Sequence, residues 1–143
     1  MTAMTAPEIF ALMHKVFPTV KAMNFEIEQL DDDTITLSRH TTDQDLRPGH
    51  TISGPAMMTM VDTAAYFLIL SRIGPEALAV TTNLNINFLR KPVPGKLTAR
   101  GELLKLGKRL VIVEVSLYTE ASDKRVAHAT VTYSIPPHTS SQP

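Results

Sequence analysis

The chain has 143 residues, 43% of them hydrophobic and 20% charged, the composition of one ordinary globular domain with room for a proper core. Fourteen Lys and Arg balance fourteen Asp and Glu, so no broad field draws nucleic acid or an anionic membrane, and the weak colloidal repulsion fits apolar surface covered by copies of the same chain. Cysteine is absent, which excludes disulfides, thiolate metal sites and cysteine nucleophiles and agrees with a reducing compartment.

The opening stretch MTAMTAPEIFALMHKVF has no basic segment followed by a long apolar one, so no secretory leader is expected and the cytoplasm is the default location. Residues 1–5 are expected to be flexible. Ile9, Leu12, Met13 and Val16 then recur at helical spacing, which predicts a short amphipathic helix over 7–17, with Pro7 in its first turn and Pro18 as its stop. Apolar alternation on both sides of the DDD turn predicts a hairpin over 23–30 and 34–40. TTDQDLRPGHTIS has turn composition without periodicity and is expected to be a loop.

An apolar helix comes next, starting near Ser53 or Gly54 with Pro55 in its first turn and ending before Gly74 and Pro75. Its longest apolar run, residues 60–70, is too short to span a bilayer and carries Asp62. An unpaired carboxylate is costly in a low dielectric, so Asp62 either reaches solvent or a partner such as Thr59, Tyr66 or a partner strand, or stands at the lip of a site that uses it. From Ala79 the period becomes two, with Leu84, Ile86 and Phe88 on one face and Asn83, Asn85 and Asn87 on the other. After RKPVPGK come strands over 97–106, 110–119 and 126–135, with turns at Gly107-Lys108 and ASDK, and a flexible tail over 136–143. Four successive strands with short connections predict an antiparallel sheet, and a helix apolar nearly all round must be covered on most sides. The fold class expected is therefore α+β, a single domain over 1–143 in which a curved antiparallel sheet wraps a long central helix.

This plan resembles the hot-dog fold, and its details resemble the thioesterase superfamily of the phenylacetate-pathway (PaaI-like) type, over roughly residues 25–135. The family pattern places His-Gly-Gly at the start of the long helix and an acid eight positions after the first Gly. Here that register reads Ser53-Gly54-Pro55 and Asp62, so the Gly and the acid are kept while the His and the second Gly are replaced. Arg47 stands where the family often has Asn. The strand, Pro-x-x-Gly loop and Gly-Lys turn of the family match VTTNLNINFLRKPVPGK and the downstream LTARGELLKLGKRL.

The resemblance implies an acyl-CoA thioesterase with Asp62 as nucleophile or general base. A helix N-terminus offers free N–H groups to a developing oxyanion, and since Pro55 has none, the donor is the Gly54 amide. Asp62 lies ~12 Å deeper along the axis at 1.5 Å per residue, too far to share one carbonyl with Gly54 of its own chain. Hot-dog dimers bring the acid of one chain to the Gly of the other, so a homodimer, or a tetramer of paired dimers, is implied. Thr81, opening the central strand, matches the place where relatives carry a hydroxyl near the carboxylate of the partner subunit, and is equally a good strand residue. Ser53 caps the helix or touches substrate, with capping preferred. Arg90, Lys91, Lys96, Lys108 and Arg109 lie in two turns near the edge where relatives bind coenzyme A, whose phosphates call for such partners; basic turns are also what a solvated sheet edge shows.

His50, in the loop before the helix, is a further candidate pocket residue. The histidines form no metal-ligand spacing, so no metal is expected, and no cofactor beyond the coenzyme A carried by the substrate. Met57, Met58 and Met60 offer an adaptable wall for an acyl chain. Two other readings remain: a non-catalytic protein that binds acyl-CoA or another acyl ligand, motivated by the replaced His and Asn, and a hydratase or dehydratase. The last needs a helix His, and this helix has none.

Overall fold

Thr5 and Glu8 close a capping box on the first helix, α1 (Ala6–Val16): the Thr5 hydroxyl accepts from the Glu8 amide while the Glu8 carboxylate accepts from the Thr5 amide. Pro18 does not end the helical region. Phe17 breaks it with φ −145°, and Pro18 then occupies the first turn of a second short helix, α2 (Pro18–Ala22), where a missing N–H costs nothing. The computed structural model describes residues 3–137; of the two termini expected to be flexible, residues 1–2 and 138–143, His138 included, lie outside that range. The first described residues are held, because the Ala3 and Met4 amides donate to the Ser71 carbonyl and Met4 is buried.

The expected hairpin is present as β1 (Glu26–Leu30) and β2 (Thr34–His40). The next stretch, expected to be a loop, contains a 3-10 turn at Asp43–Asp45 and then a small ribbon of β3 (Leu46–Arg47) and β4 (Thr51–Ile52). Partners remote in sequence order it. Arg39, 8% exposed, forms an ion pair with Asp45 at 3.1 Å and donates to the Met23 carbonyl, while the Ser53 amide donates to the Asp45 carbonyl and the Ile52 amide to that of Pro92. Although burial works against it, the Thr42 amide and Arg39 hold the Asp45 carboxyl below its ordinary value. The start of the central helix is thereby fixed in space.

That helix, α3 (Gly54–Ile73), runs 20 residues. Ser53 caps it, its hydroxyl accepting from the Ala56 amide at 3.2 Å, and Gly74 ends it with φ +95°. The helix as a whole is long and apolar enough to cross a bilayer, which the shorter run over 60–70 did not suggest. Here it is the core of a domain instead: Val61, Ala64, Ala65, Phe67, Leu68, Ile69 and Leu70 are fully buried, and Phe67 meets Phe10 and Phe25 edge-on.

The sheet around it adds β5 (Val80–Phe88), β6 (Lys96–Leu106), β7 (Leu110–Thr119) and β8 (Ala127–Ser134), all antiparallel, in the order β1-β2-β6-β7-β8-β5. The strand after α3 therefore does not pair with its successor. It crosses to the far side of β8 and forms the edge of the sheet. Along β8 the buried positions are Ala127, Ala129, Val131 and Tyr133, and their partners Leu84, Ile86 and Phe88 share the helix side of β5, with the three Asn residues on the outer side as expected. α3 keeps one uncovered stripe, Pro55, Met58 and Thr59 leading to the half-buried Asp62, and the neighbouring Phe88 and Val80 of β5 are 50% and 55% exposed.

Candidate active site

Asp62 is reached by two hydroxyls. Thr81 Oγ1 donates to Asp62 Oδ1 at 2.6 Å, and the Tyr133 phenol donates to the same oxygen at 2.8 Å, also lying 3.3 Å from the Asp62 carbonyl. The two possible partners on the helix itself, Thr59 and Tyr66, are not used; the Tyr66 hydroxyl donates to the Ala77 carbonyl at 2.9 Å. Tyr66 contributes its ring instead, stacked on Tyr133 with centroids 5.8 Å apart and planes 15° from parallel. Burial, reinforced by the Asp62 charge, pushes the Tyr133 phenol far above its ordinary range, so it stays protonated and donates.

A β-bulge delivers Thr81. The β5–β8 register shifts between Thr81 and Asn83, so Thr81 pairs with inward-facing Tyr133 while Asn83 pairs with Thr132 on the outer side. Thr82 is the extra residue, its hydroxyl donating to the Thr132 carbonyl. Thr81 thus lies in an edge strand and not in the central one expected, and it bonds the carboxylate of its own chain where the resemblance implied that of the partner subunit; the edge position lets its side chain line a cleft.

The cleft beside Asp62 holds about 590 Å³. Thr59, Asp62, Thr63, Thr81 and Tyr133 form its polar end, and Phe17, Val20, Met23, Tyr66, Phe67 and Val80 its apolar wall. The α1–α2 elbow, unexpected from Pro18, supplies part of that wall. A larger hollow of about 680 Å³ lies on the outer sheet face. Arg125 Nε donates to Ser116 within it and Glu114 on its wall meets His128 at 2.6 Å, and it contains none of the residues around Asp62.

The remaining candidates do not join Asp62 within the chain. Gly54 stands at the first turn of α3, its amide without a hydrogen-bond partner among the described residues. Beyond its neighbours along the chain, a Cβ at Gly54 would meet only Phe88 Cζ at 3.7 Å, ordinary contact, so the packing around the helix start does not require glycine there. Ser53 is the cap. His50 is exposed in the tight turn of the β3–β4 ribbon with φ +59°, its amide bonded to the Arg47 carbonyl, and it does not line the Asp62 cleft. Arg90 donates to the Arg125 carbonyl at 2.7 Å and Lys91 is exposed, both beyond the Phe88 end of β5. Lys108 and Arg109 lie in the β6–β7 turn, level with the Val80 end, because Leu110 and Val80 both pair with Ser134. In one chain the two basic turns are thus at opposite ends of the sheet. Lys96 is committed to Glu28 at 2.8 Å.

Tyr133 is the residue that sequence reading missed. Its signal was present, since a phenol stood in register with small apolar inward residues and needed a partner for its hydroxyl.

A curved antiparallel sheet around a long helix, with a carboxylate niche opening between that helix and an edge strand, is the hot-dog architecture. The thioesterase superfamily model matches residues 49–126, more than half of the chain, and the chain belongs to that family. A crystal structure from Silicibacter sp. TM1040, assigned as a thioesterase, is 39% identical, with a TM-score of 0.87 over 96% of this chain and 95% of that one. The PaaI protein of the Escherichia coli phenylacetic acid degradation operon shares the fold at 22% identity, with a TM-score of 0.79 over 94% of this chain and 95% of that one. A protein of Saccharolobus solfataricus named as an esterase is 28% identical over 67% of this chain, which spans 63% of that relative's length.

Proposed function

We propose that this chain is an acyl-CoA thioesterase that works as a homodimer, with Asp62 as nucleophile or general base and Gly54 of the partner subunit binding the carbonyl oxygen. The observation that carries this reading is the carboxylate of Asp62, oriented by Thr81 and Tyr133 on one oxygen and facing a cleft with an apolar wall.

The two halves of such a site lie at opposite ends of β5. Thr81 at one end bonds Asp62, and Phe88, about seven residues or ~23 Å farther along the strand at 3.3 Å per residue, reaches back against Gly54. The outer edge of β5 has no neighbour among the described strands. Antiparallel pairing of that edge with its copy about a two-fold axis would superpose the Asp62 end of one chain on the Gly54 end of the other. It would also cover the stripe of Met58 and Phe88. The same operation would carry the Lys108 turn of one chain toward the partner subunit's Arg90, making one basic rim suited to the phosphates of coenzyme A.

In this arrangement the thioester carbonyl carbon is attacked by Asp62 itself, giving an anhydride that water then cleaves, or by a water whose proton Asp62 accepts. The carbonyl oxygen becomes negative, and the unused Gly54 amide at a helix N-terminus is placed to stabilise it. Collapse breaks the C–S bond, and coenzyme A leaves as thiolate or, on taking the proton, as thiol. A stretch of apolar side chains beside the acid suits the acyl group, and no separate cofactor is called for.

The test is a hydrolysis screen over short-chain, long-chain and aromatic acyl-CoAs, run with Asp62→Asn alongside. The variant keeps shape and hydrogen-bonding capacity, so it should fold and bind while turnover falls by ~10²–10⁴ or more. Near-normal turnover in Asp62→Asn sinks the assignment. A wild type that binds but hydrolyses none of the panel gives the case to an acyl-ligand binding protein, the reading favoured by Ser53 and Arg47 at the family's His and Asn positions.

A further inference from the structure

Asp62 Oδ1 receives both hydroxyl donors, Thr81 at 2.6 Å and Tyr133 at 2.8 Å, and no hydrogen bond is formed to Oδ2 among the described residues. A carboxylate turns easily about its last torsion, and two donors converging on one oxygen remove that freedom. We propose that Tyr133 is a positioning residue that clamps Oδ1 from the buried side and so leaves Oδ2 as the oxygen that reacts. This inference rests on the thioesterase reading of the same site and goes beyond it by naming which atom works and what holds it there.

The clamp is built from the core outward. Tyr133 is 3% exposed in a row of β8 whose other inward residues are Ala127, Ala129 and Val131, so its ring has one orientation available under α3. Tyr66, one helical turn beyond Asp62, stacks on that ring and is itself tied to the Ala77 carbonyl. Thr81 is aimed at the same oxygen by the bulge at Thr82. The phenol, kept protonated by burial and by the carboxylate beside it, does not compete for the proton that Asp62 must accept. Holding the reacting atom within a fraction of an ångström of its attack position is the kind of contribution that acts on kcat more than on binding.

The test uses Tyr133→Phe, which keeps the stacked ring and removes only the hydroxyl, assayed with the acyl-CoA that the wild type turns over fastest in the panel. The expected result is a ~10–100-fold fall in kcat with KM changed by less than about threefold. The same substitution in an Asp62→Asn background should cause no further fall, since the group being positioned has already lost its function. Thr81→Val, removing the other donor from the less buried side, should lower kcat in the same way, with Thr81→Ser restoring it; this arm decides the clamp if Tyr133→Phe does not fold. Unchanged kcat in Tyr133→Phe, while Asp62→Asn is inactive, overturns this inference and leaves the thioesterase reading intact. An equal fall in both backgrounds also overturns it, because it marks Tyr133 as merely structural. Full activity in Asp62→Asn is the different outcome that removes the thioesterase reading itself.

Discussion

The two ends of the α3 segment facing β5 are furnished in opposite ways. At Asp62 the chain supplies its own partners, two hydroxyls and a stacked pair of rings from β5, β8 and α3, with both rings buried behind the half-buried carboxylate and the exposed Thr81. At Gly54 it supplies almost nothing: a free amide, a half-exposed Phe88 and an edge strand with no neighbour among the described residues. The helix start is nevertheless held firmly, by the Ser53 cap and by the Arg39–Asp45 pair behind it. One end is a finished niche and the other is a rigid half of something. That difference is what a shared site between two copies requires, since a group that must meet a substrate held by another chain is kept unpaired yet immobile.

The contrast between the two helix ends is removed most directly at the Gly54 amide. Ser53 has an extended backbone, φ −71° and ψ 155°, which tolerates a following proline, and the first helical turn does not need the N–H. Residue 54 is itself helical and precedes Pro55, where any Cβ is crowded, so Gly54→Pro and Gly54→Ala share that strain. Gly54→Pro should therefore lose ~10²–10³ in kcat relative to Gly54→Ala, which keeps the amide, the usual cost of removing one oxyanion donor. Kinetics on both variants, with melting curves as the control, check this; equal activity in the two would separate Gly54 from the chemistry.

Next in size is the contact between copies. Met58, 42% exposed on the uncovered stripe of α3, would be buried in a dimer formed through β5. Wild type should sediment as a dimer or a larger even assembly, and Met58→Lys should shift it toward monomer and cut turnover about tenfold or more, since burying an unpaired charge is costly. A wild type that is monomeric and active at micromolar concentration would mean that Asp62 works without a second chain.

The smallest effect is expected at the basic turns. Arg90 and Lys91 are exposed, so on the proposed function each would contribute a solvent-screened contact to a phosphate. Arg90→Ala and Lys91→Ala should weaken coenzyme A binding by a few-fold each at low salt, and the wild-type affinity should fall as salt rises. Titration calorimetry at two ionic strengths measures both, and variants that match wild type at low salt would reduce these turns to a solvated edge.

Residue order revealed the features that depend on neighbours along the chain. The bounds of α3 come from a Ser cap and a terminal Gly, and the two faces of β5 come from alternation at Leu84, Ile86 and Phe88. The candidate acid could be singled out because a lone charge in an apolar helix is costly wherever the helix sits. The tertiary structure alone decided how these pieces meet. β5 lies beside β8 and not β6, because strand pairing is settled by backbone hydrogen bonds between segments far apart in sequence. Alternation carried back from Leu84 would put Thr82 on the helix side; the bulge puts Thr81 there instead, and no local pattern announces a bulge. Residues 41–53 have turn composition, yet Arg39 and Pro92 order them from outside. Tyr133 reaches Asp62 across 71 positions: an inward phenol calls for a partner, but no local pattern says which. A carboxylate could be found from the sequence; which of its oxygens is held, and by what, is a property of packing.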